Sequence, residues 1–297
     1  ERLHFRRVNR FVSTFEVTIR IVGGLLSAYD LSHIEILKTK ALELGEILLE
    51  VYQKNNGLPP VKFNPATGEI SNYNPESQNK LLQLADAGVF LELYHLTTIS
   101  DDDRYSKAAD YIRQLMYEGS PFYMTPQNWD LAKTQFFGND FSFGSGSDSF
   151  FEYLIKTAEY TRGKSLDYEY HYFMAINEGL TTLLREHIGF EEYFLFSIRK
   201  GCTYALQEEL SCFLPGNLML ASRYLQTKGL SSISRWDPKE VAHQLQQIAA
   251  ELTKTCLDTY DTTTGLGADI YLIETEELSA RSPEYLLRPE LIESLFY

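Results

Sequence analysis

Basic residues and long apolar runs are scarce in this chain, and each scarcity excludes a class of protein. Lys and Arg number 27 against 41 Asp and Glu, which gives a formal net charge of −14. So acidic a surface repels phosphates, and we therefore expect no nucleic-acid partner. The apolar runs fall well short of the roughly 20 residues that span a bilayer, so no membrane-spanning segment is predicted within the chain.

Cysteine is also scarce, and the usual markers of several site types are missing. A disulfide would imply an oxidising compartment, but three cysteines in 297 residues do not establish one. No Asn-x-Ser/Thr acceptor for a glycan occurs. The six histidines show no metal-ligand spacing, and the segment from Gly144 to Ser147 follows no predicted strand and carries no Lys. The sequence therefore predicts neither a histidine metal centre nor a phosphate loop.

Helical periodicity is the main positive signal along the chain. Two stretches rich in Gly, Asn, Pro and Ser, Gly57–Asn79 and Pro121–Gly146, are predicted to be loops. Their length exceeds that of plain connections, and long loops in compact domains are often functional. The periodicity predicts helices over Phe15–Leu31, Ile34–Gln53, Lys80–Ile99, Arg104–Glu118, Ser149–Thr161, Glu169–His187, Ala205–Thr227, Lys239–Tyr260 and Pro289–Tyr297.

The predicted helices form a weak repeat, in which an apolar helix is followed by a more polar one. Repeated helical hairpins of this size build either a solenoid or a closed ring. The first helix of each pair is apolar on most sides, which is typical of an inner helix covered by an outer one. The sequence therefore predicts an all-α fold of helical hairpins.

An acidic residue stands at or near the start of each proposed inner helix. Asp and Glu favour first turns through the helix dipole, so each acid alone is consistent with simple capping. If the inner helices run parallel around a ring, these starts gather on one rim and form a carboxylate-lined cavity. Such a cavity suits glycosidic bond cleavage or a hard cation such as Ca²⁺. The acids are Glu16, Asp86, Asp148, Glu208 and Glu290.

Five stretches, in this order, resemble the motifs of glycoside hydrolase family 47, the class I α-1,2-mannosidases. They reach from Phe15 to Tyr297, which is nearly the whole chain. The resemblance implies an (α/α)₇ barrel, in agreement with the hairpin repeat, and a single catalytic domain over residues 1–297 that is truncated at both ends relative to the family. The stretches are Phe15–Tyr29, Gly144–Leu154, Ser211–Gly216, Thr264–Leu266 and Leu287–Tyr297.

The resemblance implies a Ca²⁺-dependent, inverting enzyme that trims α-1,2-linked mannose from high-mannose N-glycans. Glu16 matches the general acid, acting through a water, Glu290 matches the general base, and Asp148 matches a third catalytic carboxylate. Cys212 and Cys256 match the family's disulfide. The Thr that binds Ca²⁺ in the family is expected beyond Tyr297, so no metal ligand is expected in this chain. Substrate-binding roles are implied for Arg20, Asp86, Glu152, Glu208 and Glu293.

Three departures from the family pattern leave other functional interpretations open. Glu208-Glu209 replaces an Asp-His pair, Asp86 replaces a Glu, and Gly146 replaces an Arg that sets specificity in the endoplasmic reticulum (ER) enzyme. In the loss of that Arg, the chain resembles the Golgi-type enzymes and the ER-degradation mannosidase-like proteins. The alternative function is therefore a glycan-binding quality-control factor with weak or no hydrolase activity, for which an oxidoreductase or a degradation-pathway protein is a candidate partner. A third hypothesis is that the chain is a structural segment, inactive because its barrel is incomplete.

The location implied by the resemblance is the lumen of the ER or the Golgi, in the secretory pathway. Any membrane anchor is expected outside this chain.

Overall fold

The computed structural model of the protein describes residues 3–73, 80–187, 192–274 and 278–297. Helices dominate it, and the chain divides into two compact units. Unit 1 comprises Glu1–Pro121 with Asn128–Phe137, and unit 2 comprises Phe122–Gln127 with Gly138–Tyr297. Within the described ranges, no helix combines the length and the apolar character that crossing a bilayer requires.

Unit 1 contains two helical hairpins, in which α2 packs against α3 and α5 against α6. His33 and Asp101 follow α2 and α5 with left-handed backbones, at φ of 55° and 59°, and so end the first helix of each pair. The helices are α1 (Thr14–Glu16), a π-helical segment (Val17–Val22), α2 (Gly23–Ser32), α3 (Glu35–Lys54), α4 (Leu84–Ala87), α5 (Phe90–Ser100) and α6 (Arg104–Glu118), after a 3₁₀ turn at Phe5–Arg7.

Short strands connect the helices of unit 1. The first antiparallel sheet has the order β1 (Val12–Ser13), β2 (Lys62–Phe63) and β3 (Ile70–Ser71). The second has the order β4 (Leu81–Gln83), β5 (Asn128–Asp130) and β6 (Gln135–Phe137). Strand β1 leads directly into α1, and β4 leads directly into α4, so each small sheet fixes the start of a helix.

Unit 2 is built on α9, which packs against α7, α10 and α11. Helix α9 is buried along most of its circumference, whereas α10 buries a single stripe that repeats every three or four residues. This difference agrees with an inner helix covered by an outer one. The helices are α7 (Asp148–Tyr160), α8 (Leu166–Leu183), α9 (Leu214–Lys228), α10 (Pro238–Asp258) and α11 (Glu290–Phe296), and a 3₁₀ helix covers Glu209–Phe213.

The strands of unit 2 form three small antiparallel sheets. The first pairs β7 (Leu184–His187) with β8 (Glu192–Leu195), and the second pairs β9 (Ser197–Arg199) with β10 (Cys202–Tyr204). The third has the order β11 (Leu206–Glu208), β12 (Ile270–Ile273) and β13 (Leu278–Ser282). Strand β11 runs straight into the 3₁₀ helix and then into α9, so this sheet positions the carboxylates of Glu208 and Glu209.

Several predicted helix boundaries are wrong. The first part of Ala205–Thr227 is strand β11 and the 3₁₀ helix, because pairing with β12 outweighs the helix propensity of Leu, Gln and Glu. Glu208 therefore ends a strand and does not start a helix. The segment predicted as one helix over Lys80–Ile99 is β4, α4 and α5, and the segment predicted over Glu169–His187 ends as strand β7.

The predicted loops also need correction, because both carry strands. The loop Gly57–Asn79 contains β2 and β3, and its residues 74–79 lie outside the described residues. The loop Pro121–Gly146 contains β5 and β6. Pro289 caps α11 instead of lying in its first turn, a difference of one residue.

Candidate active site

Asp148 is the first residue of α7, and a tight turn places it there. The backbone N–H groups of Ser147 and Asp148 both donate to the Gly144 carbonyl, at 3.1 and 3.0 Å. Burial raises the pKa of Asp148 to about 7, so this carboxyl exchanges its proton near neutral pH. Three other carboxylates add to the rise, those of Glu152, Glu208 and Glu290.

Glu208 lies beside this turn, at the end of β11. Its side chain is buried, with 5% of the residue exposed. Glu208 Oε2 accepts a hydrogen bond of 2.9 Å from the Ser145 N–H, and Oε1 lies 2.9 Å from Arg199 Nη2. A Cβ atom at Gly144 would lie 2.5 Å from Glu208 Oε2, so only glycine lets the turn approach the carboxylate this closely.

Glu290 is the first residue of α11, one position nearer the helix start than the sequence predicted. Burial raises the pKa of Glu290, and the nearby Arg288 partly offsets the rise. Its Oε2 is buried and, among the described residues, receives no hydrogen bond. A carboxylate oxygen left without a donor is available to accept a proton from a bound molecule.

A lysine joins two of the predicted sugar-binding acids. Lys156 Nζ lies 2.5 Å from Glu152 Oε1 on its own helix and 2.5 Å from Glu293 Oε1 on α11. Burial raises the pKa of Glu152, and the Lys156 charge opposes that rise. Lys156 was not predicted as a site residue. Its spacing of four from Glu152 could have indicated the ion pair, because residues four apart are neighbours on a helix.

Glu209 is a second residue that the sequence analysis did not assign a role in the site. It is 3% exposed and accepts hydrogen bonds from the hydroxyls of Tyr260, at 3.0 Å, and Thr259, at 3.3 Å. Burial raises its pKa to about 7, and the charges of Glu290 and Asp269 add to the rise. The sequence contained one indication that this position matters for the site, because Glu209 stands where the family pattern has a His.

A cavity of about 310 Å³ adjoins Glu208. Two ion pairs line it, Arg199 with Glu208 and Arg288 with Asp269, the second at 2.9 Å between Nε and Oδ1. The guanidinium groups can donate and the carboxylates can accept hydrogen bonds, which suits a ligand that carries many hydroxyl groups. The other lining residues are Gln127, Asp140, Ser145, Leu210 and Ile270.

The remaining predicted site residues belong to unit 1. Glu16 ends α1, where its N–H donates to the Ser13 hydroxyl at 3.2 Å, and its carboxylate bonds to Arg20 in the π-helical segment. Burial raises the pKa of Asp86 in α4 to about 7, and the charge of Glu16 adds to the rise. Unit 1 therefore brings Glu16, Arg20 and Asp86 together as a second group of predicted site residues.

The predicted disulfide is confirmed. Cys212 in the 3₁₀ helix is bonded to Cys256 in α10, with 6.0 Å between their Cα atoms, and both are buried. Leu291 of α11 packs with the two cysteines in one apolar cluster, and Tyr260 packs against that cluster. The bridge therefore stabilises the region that carries both Glu209 and Glu290, while Cys202 is free and exposed.

The described residues do not by themselves form a metal site. No group of three or more His, Cys, Asp or Glu side chains in this part of the chain is arranged to hold an ion. A calcium ion needs six to eight oxygen ligands, so the carboxylates above do not make a full coordination sphere.

The comparisons with known proteins agree with the chemistry of these acids. The family model of glycosyl hydrolase family 47 matches residues 1–297. A Schizosaccharomyces pombe relative, "Endoplasmic reticulum mannosyl-oligosaccharide 1,2-alpha-mannosidase", is 28% identical over 300 residues, which cover 96% of this chain and 57% of that protein. Human "Mannosyl-oligosaccharide 1,2-alpha-mannosidase IB" is 31% identical over 305 residues, which cover 98% of this chain and 44% of that protein.

A solved structure, "alpha-1,2-mannosidase from Trichoderma reesei", matches with a TM-score of 0.86 at 21% identity. The match covers 99% of this chain and 65% of that structure. The prediction of an all-α fold of the (α/α) barrel class is thereby confirmed. The chain spans about half the length of the curated relatives it matches.

Proposed function

This chain belongs to glycosyl hydrolase family 47, and from that membership we propose that its protein is an α-1,2-mannosidase. The proposed substrate is a high-mannose N-glycan on a glycoprotein, and the reaction is hydrolysis with inversion of configuration. The observation that carries the proposal is the group of acids in unit 2, where burial raises the pKa of Asp148 to about 7 and Glu290 Oε2 receives no hydrogen bond from the described part of the chain.

The proposed roles are those that the family resemblance implies, and they fit the chemistry of an inverting glycosidase. Glu290, as a carboxylate, takes a proton from the water that attacks the anomeric carbon. As the bond from that carbon to the glycosidic oxygen breaks, the oxygen receives a proton, which we assign to Glu16 acting through a water. Asp148, with its pKa near 7, stabilises the positive charge that develops on the sugar when it is ionised.

The residues around these acids are proposed to bind the sugar. Glu152, Glu208 and Glu293 offer carboxylate oxygens to sugar hydroxyls in unit 2, and Arg20 and Asp86 offer polar groups in unit 1. The polar cavity beside Glu208 is proposed to take a neighbouring sugar unit.

Calcium dependence is part of the proposal, because the family resemblance implies it. When bound, the ion would orient sugar hydroxyls and water through its oxygen ligands. The described residues do not complete such a site, and no step of the reaction above is assigned to the ion.

The test is the release of mannose from a high-mannose N-glycan by the full-length protein, with Ca²⁺ and then with a chelator. We expect chelator-sensitive release, and we expect Glu290→Gln to lower kcat by at least about 1,000-fold while the thermal unfolding midpoint stays unchanged. Release of mannose at the wild-type rate by Glu290→Gln would refute the assignment of the base.

A second candidate is a glycan-binding quality-control protein that hydrolyses weakly or not at all. The buried Glu209, at a position where the family pattern has a His, favours it, since this acid changes the charge beside Glu290. Binding of the glycan without release of mannose would support this candidate over the enzyme.

The lumen of the ER or the Golgi is the proposed location. The fission-yeast relative is an ER enzyme by its name, and a buried disulfide is typical of proteins from an oxidising compartment. An oxidoreductase or a degradation-pathway protein remains a proposed partner under the second candidate.

A further inference from the structure

Helix α7 carries three ionisable residues at a spacing of four, Asp148, Glu152 and Lys156. This spacing places them on one face of the helix, with Lys156 about 12 Å along the axis from Asp148. Long side chains in a helix point back toward its N-terminus. The Lys156 ammonium therefore lies beside Glu152 and faces the end of α7 that carries Asp148.

The same ammonium reaches a second helix. Its Nζ lies 2.5 Å from Glu293 Oε1, one turn of α11 after Glu290. Only 19% of the Lys156 side chain and 17% of the Glu152 side chain are exposed. The Glu293 side chain is 37% exposed, so the buried ammonium of Lys156 is the fixed end of this link between α7 and α11.

We infer that Lys156 is a positioning residue for the hydrolysis proposed above. By bonding to Glu152 and Glu293, its ammonium fixes the two helix starts that carry Asp148 and Glu290. The inference rests on the proposed function, because it concerns the same two acids.

The surroundings of Lys156 explain why one cation suits this place. Glu152 on its own helix and Glu293 on α11 are the charged groups that raise its pKa against the effect of burial. Helix α9, which packs against α7, contributes the amide of Asn217, whose Nδ2 donates to the Glu152 carbonyl at 3.1 Å. Without Lys156, two carboxylates would face each other with no positive charge between them, and α11 would lose its ion pair with α7.

Two substitutions separate the charge of Lys156 from its bulk. Lys156→Met removes the ammonium and keeps most of the length of the side chain, while Lys156→Arg keeps the charge and can donate to both carboxylates. A misplacement of about 1 Å can lower a rate about 100-fold, so we expect kcat of Lys156→Met to fall by about that factor with a smaller change in KM. We expect Lys156→Arg to recover at least a tenth of the wild-type kcat.

The matched control is Lys254→Met in the same unit. Lys254 Nζ lies 2.6 Å from Glu192 Oε1, but 61% of its side chain is exposed. We expect its kcat to remain within about twofold of the wild type, since exposed pairs contribute little. An unchanged kcat in Lys156→Met, or an equal loss in Lys254→Met, would overturn the inference.

A second readout separates positioning from stability alone. A folding defect lowers the amount of active protein. Loss of Lys156 instead leaves the charges of Glu152 and Glu293 uncompensated, and because both raise the pKa of Glu290, the acid limb of the kcat profile moves to higher pH. If Lys156→Met does not fold, Lys156→Gln replaces it, because it also removes the positive charge and keeps a polar group between the two carboxylates. An unchanged kcat and pH profile in folded Lys156→Gln would overturn the inference.

The inference can also be tested if the proposed function is wrong. If the wild-type protein releases no mannose, the carboxyl titrations of Asp148 and Glu290 are followed by NMR in the wild type and in Lys156→Met. A rise in the titration midpoint of Glu290 in the variant supports the link between the two helices. An identical titration in both proteins overturns it, whatever the protein's activity.

Discussion

The two glycines before Asp148 let the chain pass close to its neighbours. Gly146 has a left-handed backbone, with φ of 85°, and a Cβ atom there would overlap the Gln127 amide. That amide donates from Nε2 to the Ser145 carbonyl at 2.5 Å. The side chain of Gln127 therefore occupies the space that a larger residue at position 146 would need.

We predict that Gly146→Ala destabilises the protein by about 1–2 kcal/mol, because an L-residue is strained in this conformation. The matched control is Gly24→Ala in helix α2, where a Cβ atom meets nothing within 4 Å. There alanine should stabilise the protein by up to about 1 kcal/mol. Urea unfolding of both variants measures the difference, and equal midpoints would contradict the account of Gly146.

Sequence reasoning predicted the acids of the site better than the groups that surround them. Asp148 and Glu290 stand at helix starts, where sequence patterns place acids, and the structure has both at the first residue of a helix. Lys156 and Glu209 were missed because their roles depend on partners far along the chain. Lys156 bonds to Glu293, and Glu209 receives hydrogen bonds from residues 259 and 260.

At the scale of elements, the helical hairpins were predictable and the strands were not. Helices such as α6 and α10 bury a stripe that local periodicity reveals. Strand β11 has only three residues and pairs with β12 more than sixty residues later, so its environment is set by tertiary contact. The same contact moves Glu208 from the predicted helix start to the end of a strand.

The Cys212–Cys256 bridge ties the 3₁₀ helix to α10 across 44 residues of sequence. We predict that its reduction lowers the free energy of unfolding by about 2–4 kcal/mol, since the unfolded chain gains freedom when the loop opens. Urea unfolding with and without a reductant measures this loss. Cys202→Ser is the control, because Cys202 is free and exposed, and its response to reductant should equal that of the wild type. An unfolding midpoint that is the same with and without reductant would contradict the prediction.

At the scale of the whole molecule, buried acids make stability depend on pH. The pKa values of Asp86, Asp148 and Glu209 are each raised to about 7, chiefly by burial. Between the ordinary carboxyl pKa and 7, the folded protein binds more protons than the unfolded chain, so stability falls as pH rises through this window. Hydrogen bonds from Lys54 and Arg6 lower the pKa of Glu50. The stability that Glu50 contributes is therefore lost as the pH falls below its ordinary pKa of 4.5. Together these shifts place maximal stability near pH 5.

Glu209→Gln tests this pH dependence at one site, because glutamine keeps the size and an acceptor for the Tyr260 hydroxyl but carries no charge. We predict no change in stability at pH 4, where Glu209 is protonated in the folded protein and largely protonated in the unfolded chain, and a gain of about 1–3 kcal/mol at pH 8, where it is ionised. Denaturant unfolding at both pH values measures the difference. Glu251→Gln on the exposed side of α10 is the control and should change little at either pH. An equal effect of Glu209→Gln at pH 4 and pH 8 would show that burial of this carboxyl does not cause the pH dependence of stability.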